Sequence, residues 1–214
     1  MKNRLLLSLI GVASVTMLAA CSSAERSRSL TDASVPVTTI ARQLCSNCHG
    51  MTGVAESPAF PHIAAQTPEY LEAQLKGFRT HSRSDKDGYD YMWGVSARLS
   101  DDQIQGLAKY YAAQEAPHGK PVSTKMAEAG KEIYLHGMEA AGIPACASCH
   151  GEQAAGMQIF PRLAAQHSGY LEKQLHVFQH TDQRPDGSIM KQVAHALSDQ
   201  QIAQLAAYLE SLNP

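Results

Sequence analysis

A basic surplus, spare cysteines and any β-strand pattern are all missing from these 214 residues. Lysine and arginine number 18 against 20 aspartates and glutamates, and two of the basic residues, Lys2 and Arg4, fall in an N-terminal leader. So balanced a chain offers no basic patch for nucleic acid. Apolar residues make up 44% and charged ones 18%, which argues against a disordered chain. Past residue 20 no apolar run reaches the ~20 residues that cross a bilayer. There are five cysteines, and four of them sit in two short repeated motifs. None is left to pair in a structural disulfide, even where an exported compartment would allow one. No strand–helix–strand unit and no convincing strand pair can be read.

The leader itself is informative. Met1-Lys2-Asn3-Arg4 is basic, and Leu5 to Ala20 is apolar or small throughout, the pattern of a bacterial secretory signal. It ends Leu18-Ala19-Ala20-Cys21, which resembles the lipobox at which bacterial lipoproteins are cleaved and acylated. On that reading Cys21 becomes a lipidated N-terminus, and Ser22 after it leans towards the outer membrane. Ordinary cleavage nearby, with Cys21 a bystander, is the alternative. Ser22 to about Pro36 lacks apolar periodicity and reads as a tether.

The four remaining cysteines form Cys45-Ser46-Asn47-Cys48-His49 and Cys146-Ala147-Ser148-Cys149-His150, each followed by glycine. Cys-x-x-Cys-His is the attachment signature of c-type haem. On a helical turn, positions i, i+3 and i+4 share a face, so both thiols and the imidazole can meet one porphyrin. A thioredoxin-type disulfide would need a strand–helix–strand context, and zinc knuckles would sit roughly 15–20 residues apart. Neither alternative explains a histidine after both pairs.

The rest of the chain repeats around these motifs. Phe60-Pro61-His62-Ile63-Ala64-Ala65-Gln66 returns as Phe160-Pro161-Arg162-Leu163-Ala164-Ala165-Gln166. Tyr70-Leu71-Glu72-Ala73-Gln74-Leu75 returns as Tyr170-Leu171-Glu172-Lys173-Gln174-Leu175, with Phe78 and Phe178 following, and Leu99-Ser100-Asp101 returns as Leu197-Ser198-Asp199. Two copies of one haem domain are expected. The boundaries read as a signal over 1–20, lipidated N-terminus and tether over 21–36, a first domain over 37–116, a Pro/Gly linker over 117–125 and a second domain over 126–214. The fold class is all-α. Ser100 and Ser198, with Gln103 and Gln201 three residues on, predict capped closing helices. Ile104, Leu107, Ala108 and Tyr111, like Ile202, Leu205, Ala206 and Leu209, give those helices a buried face. Middle helices should bury Leu71, Leu75 and Phe78, or Leu171, Leu175 and Phe178. A further helix is expected over Thr124 to His136, with Gly130, Ile133 and Tyr134 on it.

A second axial ligand decides whether a haem carries electrons or binds small molecules. The available groups are Met51, Met92, His62 and His81 in the first copy, and Met138, Met157, Met190, His167, His176, His180 and His195 in the second. Met92 and Met190 stand at equal distances before Leu99 and Leu197, in what reads as a loop between middle and last helices. Burial as gap-fillers is the plainer alternative for both. Met51 and Met157 have unequal offsets and read as core filling. His176 and His180, one turn apart, read as an exposed helix face. Pro61 and Pro161 each keep a carbonyl that can accept the ligand histidine's free N–H and fix its orientation.

Taken together, these residues resemble the dihaem cytochrome c4 family of bacterial periplasmic electron carriers, from about Thr38 onward. The resemblance implies two tandem class I cytochrome c domains, two covalent haems c, His49 with Met92 on one iron and His150 with Met190 on the other. It also implies a pseudo-twofold pairing of the domains with propionates facing across it. Ala65 and Ala165 stand where the family often has glycine, and a glycine usual after the middle-helix Phe is missing near His81 and Thr181. The function implied is single-electron transfer in the periplasm, from a bc1-type complex or a dehydrogenase to a terminal oxidase or nitrogen-oxide reductase. A dihaem peroxidase, a thiosulfate-oxidising enzyme or a gas sensor would need an open or unusually ligated iron. Matching methionines and the lack of a spare cysteine argue against all three, and so against an enzyme.

Overall fold

The computed structural model describes residue 32 and residues 34–213; the leader, Cys21 and most of the tether lie outside them. Among the described residues there is no strand, only the isolated bridges Met138–Ile143 and Met157–Phe160. No described helix is long and apolar enough to cross a membrane.

Each half is built the same way. The first runs through α1 (Val37–Ile40), a π-helical turn (Ala41–Cys45) and α2 (Ser46–His49), then α3 (Pro68–Arg79), a second π turn (Gly88–Met92), α4 (Trp93–Ser96) and α5 (Asp101–Ala112). The second runs through α6 (Thr124–His136), a 3₁₀ turn (Glu139–Ala141), α7 (Ala147–His150), α8 (Ser168–His180), a 3₁₀ turn (Pro185–Gly187), α9 (Ser188–Ala194) and α10 (Asp199–Ser211). Helix α3 opens with Pro68 in its first turn, where a missing N–H costs nothing. Helices α5 and α10 open on full capping boxes: Gln103 N–H donates to Ser100 Oγ at 3.2 Å and Ser100 N–H to Gln103 Oε1 at 3.0 Å, with Ser198 and Gln201 at 3.3 and 2.8 Å. Each such cap satisfies N–H groups that the helix start leaves unpaired.

The core lies under the closing helices. Ile104, Leu107, Ala108 and Tyr111 are buried on α5, and Ile202, Leu205, Ala206 and Leu209 on α10. Leu71, Phe78 and Leu171 are buried as the periodicity predicts, while Leu75, Leu175 and Phe178 are only half-buried. Helix α6 crosses α10 at Gly130, where a Cβ would stand 2.0 Å from the Gln204 carbonyl oxygen. In the first half the crossing of α1 and α5 is also made through a glycine, but on the other partner: Gly106 faces the Val37 side chain. Residues 115–123 form an irregular connection that lies along the end of α10, with Lys120 N–H donating to Glu210 O at 2.9 Å and Gly119 N–H to Asn213 Oδ1 at 3.1 Å.

The halves are joined reciprocally within one unit spanning Val37–Pro214. Gln66 of the first half holds the backbone of Arg162 in the second, accepting its N–H at 2.7 Å and donating to its carbonyl at 3.0 Å. Gln166 does the same to His62, at 2.9 Å both ways. Equal contacts in both directions are those of an approximate twofold.

Candidate haem-binding sites

Both Cys-x-x-Cys-His runs fold as a helical turn stopped by glycine. Cys48 and His49 lie on α2 and Cys149 and His150 on α7, with Cys45 and Cys146 at the residue preceding each helix. Gly50 and Gly151 end them at φ of +76° and +81°, a region that disfavours any residue with a Cβ. The turn therefore aims both thiols and the imidazole one way and then reverses. Tyr134 O–H donates to the Gly151 carbonyl at 2.6 Å and fixes that reversal in the second half.

The histidines are prepared as metal ligands. Nδ1 of His49 donates to the Pro61 carbonyl at 2.9 Å, and Nδ1 of His150 donates to the Pro161 carbonyl at 2.9 Å. With the proton held on Nδ1, the Nε2 lone pair is left for iron. Both imidazoles are buried, and burial pushes their pKa below the ordinary value, so they stay neutral and able to ligate. Phe60 and Phe160 each set an edge against the ligand ring, with centroids 6.2 Å apart in both halves. The four cysteines are free thiols, partly buried. Burial raises the pKa of Cys45, and that of Cys146 to about 11. Two thiols and one neutral imidazole on a single turn, in duplicate, fit two covalently attached haems.

Met92 closes the second π turn and Met190 lies on α9, so both stand on short helical segments instead of the loops expected from sequence. Side-chain bonds hold the chain at or after each segment: Trp93 Nε1, next to Met92, donates to the Arg83 carbonyl at 2.8 Å. Arg79 Nη1 donates to the Leu99 carbonyl at 2.8 Å, and Gln179 Nε2 donates to the Ala194 and Leu197 carbonyls at 2.8 and 2.7 Å. Met51 and Met157 are not core filling: both are about half exposed, at 51% and 52%, because the glycine reversal before them turns the chain outward. His176 and His180 stack on one face of α8, and no cluster of three metal-ligating groups occurs among the described residues.

Two features of the seam between the halves escape the motif reading. His62 and His167 are buried with ring centroids 4.0 Å apart, and Ala55 N–H donates to His62 Nδ1 at 3.0 Å. The second feature is a buried polar network across the seam. Arg83 donates to Asp85 Oδ1 and to Gln74 Oε1, both at 2.7 Å, and Arg184 donates to Gln174 Oε1 at 2.6 Å and to Tyr70 Oη at 3.0 Å. The duplicated Gln74 and Gln174 were the available signal. A polar residue kept at matching places on two otherwise apolar helix faces needs a buried partner.

Comparison with known proteins agrees with this architecture. A cytochrome c family model matches residues 127–213. Cytochrome c-552 of Acidithiobacillus ferridurans is 41% identical over 78% of this chain and 73% of its own. A solved cytochrome c4 from Acidithiobacillus ferrooxidans is 40% identical, with a TM-score of 0.73 over 78% of this chain and 98% of that one. The chain belongs to the dihaem cytochrome c4 family. It is accordingly an all-α, two-domain class I cytochrome with two covalently bound haems c, acting in electron transfer. A further relative, named a thiosulfate dehydrogenase electron acceptor, from Thiomonas intermedia, is 33% identical over 77% of this chain and 76% of its own.

Proposed function

We propose that this protein is a non-enzymatic electron carrier in which Cys45, Cys48, Cys146 and Cys149 hold the haems, His49 and Met92 ligate one iron, and His150 and Met190 the other. Haem c supplies a one-electron Fe(II)/Fe(III) couple that needs no substrate. The observation that carries this is the duplicated Nδ1–H···O=C bond to Pro61 and Pro161, which sets the same tautomer in both halves. A peroxidase, thiosulfate oxidase or gas sensor calls for two unlike irons, whereas these supports are alike. On this reading one haem domain spans 37–116 and the other 126–214, with a linker over 117–125. Lipidation of Cys21 after removal of residues 1–20 would tether the carrier in the periplasm through residues 21–36. A dehydrogenase is the donor favoured by the relative that accepts electrons from thiosulfate dehydrogenase; a bc1-type complex is the other donor, and a terminal oxidase or reductase the acceptor.

The test is an optical redox titration of the haem-loaded protein, with carbon monoxide added after reduction. Two low-spin haems per chain, both with a methionine–iron band and both slow to bind carbon monoxide, are expected. Met92→Ala and Met190→Ala should each free one haem for carbon monoxide and leave the other closed. A high-spin haem in the unmutated protein would overturn the assignment of the ligands.

A further inference from the structure

The seam between the halves holds more positive than negative charge. Arg83, Arg184 and Asp85 are 6%, 8% and 0% exposed. Asp85 is engaged by Arg83 through both carboxylate oxygens. Arg184 meets only neutral acceptors, Gln174, Gln74 and Tyr70. A third guanidinium, Arg162, has Nε and Nη2 shut off from solvent with no acceptor at all, while its backbone is pinned by Gln66. Asp85 thus answers the charge of Arg83 and Arg184, and no carboxylate is found at Arg162. Arg162 as a whole is only half-buried, but two guanidinium nitrogens kept from water without an acceptor are costly, and an anion beside them would satisfy both. The polypeptide does not supply one.

Haem c does, in its two propionates. Arg162 directly follows Pro161, whose carbonyl accepts the N–H of His150, so its side chain leaves the backbone next to the second haem's support. The matching residue of the first half is His62, and it is already satisfied: its Nδ1 accepts from Ala55 N–H and its ring lies on His167. At this position one half thus carries a guanidinium lacking a partner and the other an imidazole that has its partners.

We propose that Arg162 forms an ion pair with a propionate of the haem attached at Cys146 and Cys149, that the first half has no equivalent pair, and that this pair raises the reduction potential of the second haem. This rests on the haem assignment above. Pairing cancels a negative charge near the iron and thereby favours the reduced state. Charge-assisted guanidinium–carboxylate bonds are strong and bidentate, and lysine reproduces their charge but not their fork.

The experiment uses the full-length haem-loaded protein and its Arg162→Gln and Arg162→Lys variants, with haem content measured first. Two haems per chain in every form keeps the attachment reading intact whatever the potentials do. In Arg162→Gln one of the two waves should move down by about 59 mV, a tenfold change in that haem's one-electron ratio. The other should move by much less. The wave that moves should be that of the haem Met190→Ala opens to carbon monoxide, and Arg162→Lys should retain more than half of the difference. Equal movement of both waves, no movement, movement of the other haem's wave, or a lysine variant no better than glutamine would overturn the proposal. If the glutamine variant loses haem, Arg162→Lys decides by resonance Raman. A change in one haem's propionate bending band supports the pair, and unchanged bands sink it.

Discussion

Single residues in this cytochrome carry strain that the repeat makes visible. Ala65 and Ala165 adopt φ of +52° and +57°, in the left-handed region, at the places where the family often has glycine. Both are held there by their own N–H groups, which donate to Tyr111 O at 3.0 Å and Leu209 O at 2.8 Å at the ends of the closing helices. A Cβ in this region costs about 1–2 kcal/mol, and glycine gives back roughly 0.4–1 kcal/mol through a freer unfolded chain. Ala65→Gly and Ala165→Gly should therefore each stabilise the holoprotein by up to about 1 kcal/mol, read as a higher urea midpoint at unchanged slope. A lower midpoint in either would show the strain to be relieved elsewhere. His81, at +63°, differs because its ring stacks on Trp93 at 3.9 Å and 12°, a contact that glycine would forfeit. No gain is expected from His81→Gly.

At the scale of elements, the two copies use glycine at the same helix crossing from opposite sides, Gly106 on α5 and Gly130 on α6. The tighter is Gly130, since backbone and not a movable side chain fills the space its Cβ would need. Gly130→Val should cost more than about 3 kcal/mol, beyond the 1–3 kcal/mol of ordinary overpacking, whereas Gly106→Ala should cost less because Val37 can rotate. Comparing the two melting curves checks this, and equal losses would contradict it. Helix α6 was legible from residue 124 to 136 because its ends and apolar spacing are local signals, as were the capping boxes before α5 and α10. The haem motifs were legible because covalent attachment demands fixed residue types at fixed spacing. The helical form of the Met92 and Met190 segments was not. They are held by non-local bonds, from Trp93 Nε1 to the Arg83 carbonyl and from Gln179 to the Ala194 carbonyl, and the short sequences Gly88–Met92 and Ser188–Ala194 have no strong apolar period. Met51 and Met157 misled for the opposite reason: composition suggests burial, but a preceding positive-φ glycine decides direction.

For the whole molecule, the approximate twofold is broken in charge at the residue after the proline, where one copy has His62 and the other Arg162. The backbone contacts with Gln166 and Gln66 are equal, so the difference lies in what the side chains do as pH changes. Burial holds the His62 pKa down to about 4, with the charges of His167 and Lys120 acting in the same direction and Glu210 against them. His167 is also lowered, first by burial and then by Lys120, with the Ala55 carbonyl and Glu210 opposing. In the unfolded chain both should titrate near the ordinary value of about 6.5. Because the folded values are the lower ones, the unfolded chain binds more protons in this window, and stability falls as pH falls. The contribution of the neutral pair is complete above pH 6.5 and is lost progressively towards pH 4. Arg162 keeps its charge throughout, so the loss falls on one of the two reciprocal contacts. His62→Gln retains an acceptor for Ala55 N–H and cannot be protonated. Denaturation midpoints of the holoprotein at pH 7, 5.5 and 4.5 should therefore fall less steeply in that variant than in the unmutated protein. Parallel slopes would assign the acid sensitivity to carboxylates elsewhere and leave the histidine pair a packing contact only.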